Sequence, residues 1–228
     1  MLFFILIAFM LIGFIVQQRL KGKFKKYSKM ALSSSMTGRK VAEQMLADNN
    51  IHDVRVTATP GKLTDHYNPA NKTVNLSQDV YNGSSVAAAA VASHECGHAV
   101  QHATGYSWLQ FRSAMVPVVS FSSKAINIIF LLMLFGMGIA HLFPFDTVIW
   151  VMIILQGAIT LFTVVTLPVE YDASNRALAW LESSGSAGHI EHTKAKDALN
   201  AAANTYLVAA LASITQLAYY VMLLLGRD

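Results

Sequence analysis

The chain of 228 residues is 54% apolar and only 13% charged, with a mean hydropathy of +0.43, a balance that excludes an ordinary soluble domain, a disordered chain and a collagen-like repeat. Its formal net charge is +4, and most of the basic residues fall between positions 19 and 72, which bears on membrane orientation before it bears on nucleic acid. One cysteine, Cys96, cannot close an intramolecular disulfide, so nothing requires an oxidising compartment.

Residues 2–16 are an unbroken apolar run, followed by Arg19, Lys21, Lys23, Lys25, Lys26 and Lys29. A cleavable signal peptide carries its positive charges before the apolar stretch and small residues after it, so this run reads as an uncleaved anchor. At 1.5 Å per residue it covers roughly 22 Å of a ~30 Å hydrocarbon core, so flanking glutamines and snorkelling lysines must complete the crossing. Three more spans are predicted at 125–143, 148–168 and 207–226. The basic residues of 17–113 and 169–205 put both polar segments on the cytoplasmic side, with Arg227 the exception. The expected architecture is a mainly α membrane protein of four transmembrane helices with both termini outside and a small α+β domain on the cytoplasmic face. Its segments are an anchor (1–18), a first cytoplasmic segment (19–123), a transmembrane hairpin (124–168), a second cytoplasmic segment (169–206) and a last span (207–228).

Within the polar segments, Val41, Met45 and Leu46 at helical spacing predict a helix over 37–49. Alternation at 53–58 predicts a half-buried strand ending at Pro60-Gly61, 68–71 a turn, and 73–76 a second strand that could present an edge to a substrate peptide. The alanine-rich stretch 84–105, with hydroxyl residues at its start and Gly105 at its end, predicts a helix. Residues 183–188 read as a loop, and Thr193 opens a helix continuing into the last span.

On the alanine-rich helix stands His94-Glu95-Cys96-Gly97-His98, an H-E-x-x-H pattern. Positions i and i+4 share a helical face, so two imidazoles can meet one Zn²⁺ while the intervening Glu95 acts as general base towards a water. A catalytic zinc needs a third protein ligand. His102 lies eight residues from His94, roughly 12 Å along a straight helix, too far for one metal to hold all three, and reads as a supporting or surface histidine. Glu170, an acidic residue just after Pro168 at the end of the third span, is the better candidate, since charge bias alone puts it on the same face as the motif. Candidates for stabilising the oxyanion or binding substrate are His66, Tyr67, Asn75, Tyr106, Tyr171, Arg176, His189 and His192, and Cys96 reads as a small buried residue. Asn127, Gln156 and Gln216 read as interhelical contacts, and His141 sits near the outer interface.

Four segments, Leu63-Thr-Asp-His-Tyr-Asn-Pro69, Val74-Asn-Leu-Ser-Gln-Asp-Val-Tyr-Asn-Gly83, His94-Glu-Cys-Gly-His-Ala-Val-Gln-His102 and Leu167-Pro-Val-Glu-Tyr-Asp-Ala-Ser174, together resemble the membrane-bound neutral zinc metallopeptidases of the YugP-like family. The resemblance implies a glutamate-zincin endopeptidase of the bacterial inner membrane, similar in plan to thermolysin and the HtpX-like proteases, holding one Zn²⁺ per chain with Glu170 as third ligand. In those relatives the motif is E-x-x-x-D, whose Asp orients a ligating His. Here Ser174 stands at that place and Asp172 two residues earlier, and Asp172 is the expected orienting group. The expected partners are a peptide or protein substrate and the lipid bilayer. Nucleic acid is not expected, because the lysine-rich stretch has no interleaved aromatics. The rival readings are an intramembrane protease of the site-two type and a non-catalytic zinc-binding scaffold. A structural zinc would want four protein ligands, often cysteines, and the chain has one cysteine.

Overall fold

The computed structural model describes residues 2–134 and 144–226, and the end of the second expected span with His141, and Arg227, lie outside the described residues. The elements in chain order are α1 (Leu2–Tyr27), α2 (Gly38–Asp48), β1 (Arg55–Thr59), β2 (His66–Asn68), β3 (Thr73–Ser77), α3 (Gln78–Tyr81), α4 (Val86–Ala103), α5 (Ser107–Leu134), α6 (Phe145–Ser183) and α7 (His189–Leu225). The protein is mainly helical with one small sheet, and α1, α5, α6 and α7 are each long and apolar enough to cross a membrane. Three of them exceed the spans expected of them. Helix α1 runs on through the basic cluster to Tyr27, α5 begins at Ser107, and α6 passes through Pro168 without ending there. Proline removes one hydrogen bond inside a helix, a loss that long apolar helices tolerate when neighbouring groups take up the freed carbonyl.

The chain divides into two compact units. One gathers α1 up to Phe14, the stretch Phe111–Leu167, and α7 from Tyr206 onward. Its outer faces carry Phe121, Phe130, Ile154, Leu161, Leu211 and Met222, all exposed, as a lipid-facing surface requires. Inside it, buried Thr160 donates its hydroxyl to the Ser213 carbonyl at 3.1 Å, and the Gln156 amide donates to the Ser213 hydroxyl at 3.0 Å. These bonds tie α6 to α7 where no water is available to satisfy the same groups.

The second unit comprises Ile15–Gln110 and Pro168–Thr205. Its sheet has the order β1-β3-β2, with β1 parallel to β3 and β2 antiparallel to it. The strand expected to offer an edge, 73–76, is therefore the central strand. Val74 and Leu76 are fully buried between two neighbours, and the exposed edge next to the H-E-x-x-H helix belongs to β2, a strand too short to show a periodicity of its own. Asp65 anchors the turn before β2 by accepting bonds from the Ser77 amide at 2.7 Å and the Ser77 hydroxyl at 3.0 Å. Burial nevertheless pushes the Asp65 carboxyl above its ordinary pKa, against the pull of those bonds.

Helix α4 is the centre of this unit. Ser85 caps its first turn by accepting from the Ala88 amide at 3.2 Å, and Gly105 stops it in the left-handed conformation with φ +65°. Its alanines let α2 approach through Val41, Ala42, Met45 and Leu46, while Ala177, Leu181, Ala195 and Leu199 complete the core. At Gly97 the backbone of α6 comes so near that an added Cβ would stand 2.5 Å from the Ala173 carbonyl oxygen. Gly97→Ala is expected to force α4 and α6 apart at a cost of about 1–3 kcal/mol, the usual penalty of overpacking, and to lower metal content with it. Gly22→Ala, which meets nothing within 4 Å, is the matched control and should leave the thermal midpoint unchanged. Equal midpoints for the two variants would refute the close-approach argument.

Candidate metal centre

Because α4 presents His94 and His98 one turn apart, their rings stack edge to face with centroids 4.8 Å apart. Helix α6 lays Glu170 against them, its Oε2 lying 3.3 Å from His94 Nε2 and 3.6 Å from His98 Nε2. Among the described residues, these three side chains form a cluster whose ligating atoms all lie within 4.8 Å of one another. The spacing suits zinc. Two donors each about 2.0–2.1 Å from a tetrahedral ion stand about 3.3 Å apart, and two imidazole nitrogens with one carboxylate oxygen leave a fourth position open for water. All three side chains are at least four-fifths buried, so the donors meet in a poorly hydrated place.

The far sides of the two rings are also engaged. His94 Nδ1 lies 3.1 Å from the Ser174 hydroxyl, and His98 Nδ1 lies 3.0 Å from Gln101 Oε1. The Gln101 amide donates in turn to the Val169 carbonyl and to Asp172 Oδ2, both at 2.8 Å. Arg176 donates to the same carboxylate oxygen at 2.6 Å and covers the Tyr106 ring. Asp172 thus stands behind His98 through Gln101, and Ser174 touches His94 itself. Gln101 is the residue that sequence reasoning passed over. Its spacing of three from His98 is the one signal that could have raised it, since i and i+3 meet on a helix.

Burial alone would lower the pKa of His98; the Glu170 and Glu95 carboxylates outweigh that and hold it above the ordinary imidazole value. Glu95, almost fully buried, accepts the Tyr67 backbone amide at 3.1 Å on Oε2, so the carboxylate between the two histidines is tethered to the edge strand β2. His102 does not join the cluster and instead bonds the Tyr67 hydroxyl at 2.7 Å. Burial raises the Tyr67 pKa, helped by the charge of Asp53. His66 bonds the Thr64 carbonyl, and Asn75 spends its amide inside the sheet on Thr73 and Thr57. Tyr171 is exposed on α6, while His189 and His192 belong to the first turn of α7. Cys96 is fully buried against the Ala42 carbonyl, and burial pushes its thiol well above the ordinary value, which suits a packing residue and not a ligand.

A family described as "Putative neutral zinc metallopeptidase" matches residues 2–225 of the chain. The chain belongs to this zinc metallopeptidase family. It is also 43% identical over 226 residues to a protein of Bacillus subtilis (strain 168) described as "Putative membrane protease YugP", covering 99% of this chain and 97% of that protein. No solved structure matches the chain. Membership and geometry agree, since the family is named for zinc and the donor set found at His94, His98 and Glu170 fits zinc.

A ligand bound only by the folded chain stabilises it in proportion to RT ln(1 + [L]/Kd), about 2.7 kcal/mol at a hundred-fold excess over Kd. Zinc at that excess should therefore raise the thermal midpoint of the detergent-solubilised protein, and a chelator should reverse the rise. A chain with His94, His98 and Glu170 all replaced by alanine should show neither change; a persisting zinc-dependent rise in that variant would locate the metal elsewhere.

Proposed function

We propose that the protein is a membrane-integrated zinc endopeptidase in which His94, His98 and Glu170 hold the metal and Glu95 is the general base. The observation that carries this reading is the convergence of three donors, their ligating atoms all within 4.8 Å of one another, from one turn of the helix that also carries Glu95 and from one neighbouring helix. Zinc bound there would lower the pKa of a water and polarise the scissile carbonyl. Glu95 takes the water's proton on its carboxylate and passes it to the leaving amine, a role for which its position between the two histidines suits it. In the resting arrangement Glu95 is held by the Tyr67 amide, the outward-facing donor of β2, and a general base commonly tightens onto its substrate only in the complex. An extended substrate peptide can add to the free edge of β2 and so run past Glu95, with main-chain bonds supplying affinity.

The domain that carries this site is zincin-like, joining the H-E-x-x-H helix to a small sheet and to a Glu on a later helix. We place it on the cytoplasmic side of the bacterial inner membrane, from the run of lysines directly after the first apolar segment. Of the expected cytoplasmic segments 19–123 and 169–206, we propose that the first ends near Gln110, because from Phe111 the chain belongs to the unit with the lipid-facing exterior.

Glu95→Gln should keep about one zinc per chain and lose casein-type proteolysis, whereas Glu170→Ala should lose both. A Glu170→Ala protein that retains full zinc and activity would remove Glu170 from the ligand set, and an active Glu95→Gln protein would remove the general base. Orientation is checked separately with Lys62→Cys, an exposed position in the β1–β2 connection. An impermeant maleimide should label it only in inside-out vesicles; labelling of intact cells would invert the topology. The buried Cys96 stays silent in both preparations.

A further inference from the structure

Gln101 is fully buried, sits one turn beyond His98, and lies outside the H-E-x-x-H pattern. Its amide spans two helices. The nitrogen faces the Val169 carbonyl and the Asp172 carboxylate, and both of these can only accept. The amide cannot be flipped without setting oxygen against oxygen twice, so its own oxygen must face His98 Nδ1. An oxygen there can only accept, and the neutral His98 ring must therefore carry its proton on Nδ1. The remaining nitrogen, Nε2, is left with its lone pair towards Glu170 and His94. Ser174 gives His94 no comparable instruction, because a hydroxyl both donates and accepts.

The same amide grips α6 at the residue just before Glu170 and at the second residue after it. One side chain thereby sets the axial register of α6 on α4 and the proton position of one ligand. We propose that Gln101 is the positioning residue of this centre: through Asp172 and Val169 it selects the metal-binding tautomer of His98 and holds Glu170 opposite it. This rests on the zinc reading above, but its test does not. Asp172 remains bonded to Arg176 when Gln101 is lost, so a variant there keeps that carboxylate paired and the fold intact.

The experiment compares wild type with Gln101→Met, which conserves volume and length but supplies no amide, and Gln101→Glu, which keeps an acceptor for His98 but sets a second oxygen against the Val169 carbonyl and Asp172, and so should keep the tautomer while weakening zinc binding. Imidazole ¹⁵N shifts of the metal-free, full-length protein in detergent, at alkaline pH, report the tautomer, and zinc titration against a chelating indicator reports affinity. Wild type and Gln101→Glu should show His98 protonated on Nδ1. Gln101→Met should shift His98 towards the Nε2-protonated form and weaken zinc binding by about 10–100-fold, the usual effect of removing a group that orients a metal ligand. A packing role would leave both the His98 tautomer and the zinc affinity of Gln101→Met at their wild-type values, and would overturn the proposal. An unchanged tautomer in Gln101→Met would overturn it as well. Should Gln101→Met fail to fold, Gln101→Asn, one methylene too short to reach both helices, carries the same expectations. If wild type binds no zinc, the protease reading fails, while the tautomer comparison still decides the role of Gln101.

Discussion

The contact on which the rest of this unit depends is the approach of α6 to α4 at Gly97 and Ala173, backbone against backbone with no side chain between. Two of the three donors lie on α4, either side of that glycine, and the third lies on α6, three residues before the alanine. Once the helices touch there, Glu170 has nowhere to go but across the faces of His94 and His98. A side chain at position 97 would lift α6 by more than the few tenths of an ångström that a tetrahedral site tolerates.

Close approach fixes a distance but not a register, and the polar groups around it supply the register. Gln101 links His98 to Val169 and Asp172, Arg176 holds Asp172, and Ser174 meets His94, so every one of these bonds runs between or along the same two helices. Gln101, His98 and Ser174 are buried with their partners made and Asp172 and Arg176 close the set half-buried, the condition under which polar side chains order a core instead of destabilising it. The sheet contributes through Tyr67 of β2, whose amide holds Glu95 and whose hydroxyl meets His102.

The rest of the unit serves α4. Alanine at 87–90 gives the helix a thin wall, so α2 and the buried strand β3 come near enough to enclose it without large side chains. Enclosure then explains the electrostatics. Burial holds the Cys96 thiol well above its ordinary pKa, while for His98 the neighbouring carboxylates and the Gln101 bond outweigh burial and hold the imidazole above its own. The other unit, made of the apolar stretches of the long helices, is built to other rules, with apolar exteriors and a few buried hydroxyl and amide contacts such as Thr160 with Ser213.

Much was legible in the chain itself. Apolar runs identify the four long helices because hydrocarbon thickness demands a fixed length of apolar residues, and H-E-x-x-H on an alanine-rich helix identifies two donors and a base because helical spacing is local. Glu170 was legible only as an acidic residue at the end of a span. What the linear order does not carry is any pairing between distant segments. It could not show that β3 is central and β2 the edge, since a three-residue strand has no measurable alternation and pairing order is a property of the sheet. Nor could it separate Asp172 from Ser174, or show what Gln101 meets on α6, because which carboxylate or hydroxyl meets which ring depends on the rotation and register of α6 against α4. That choice is made by packing at Gly97 and Ala173, residues without functional groups of their own, and so it belongs to the tertiary structure alone.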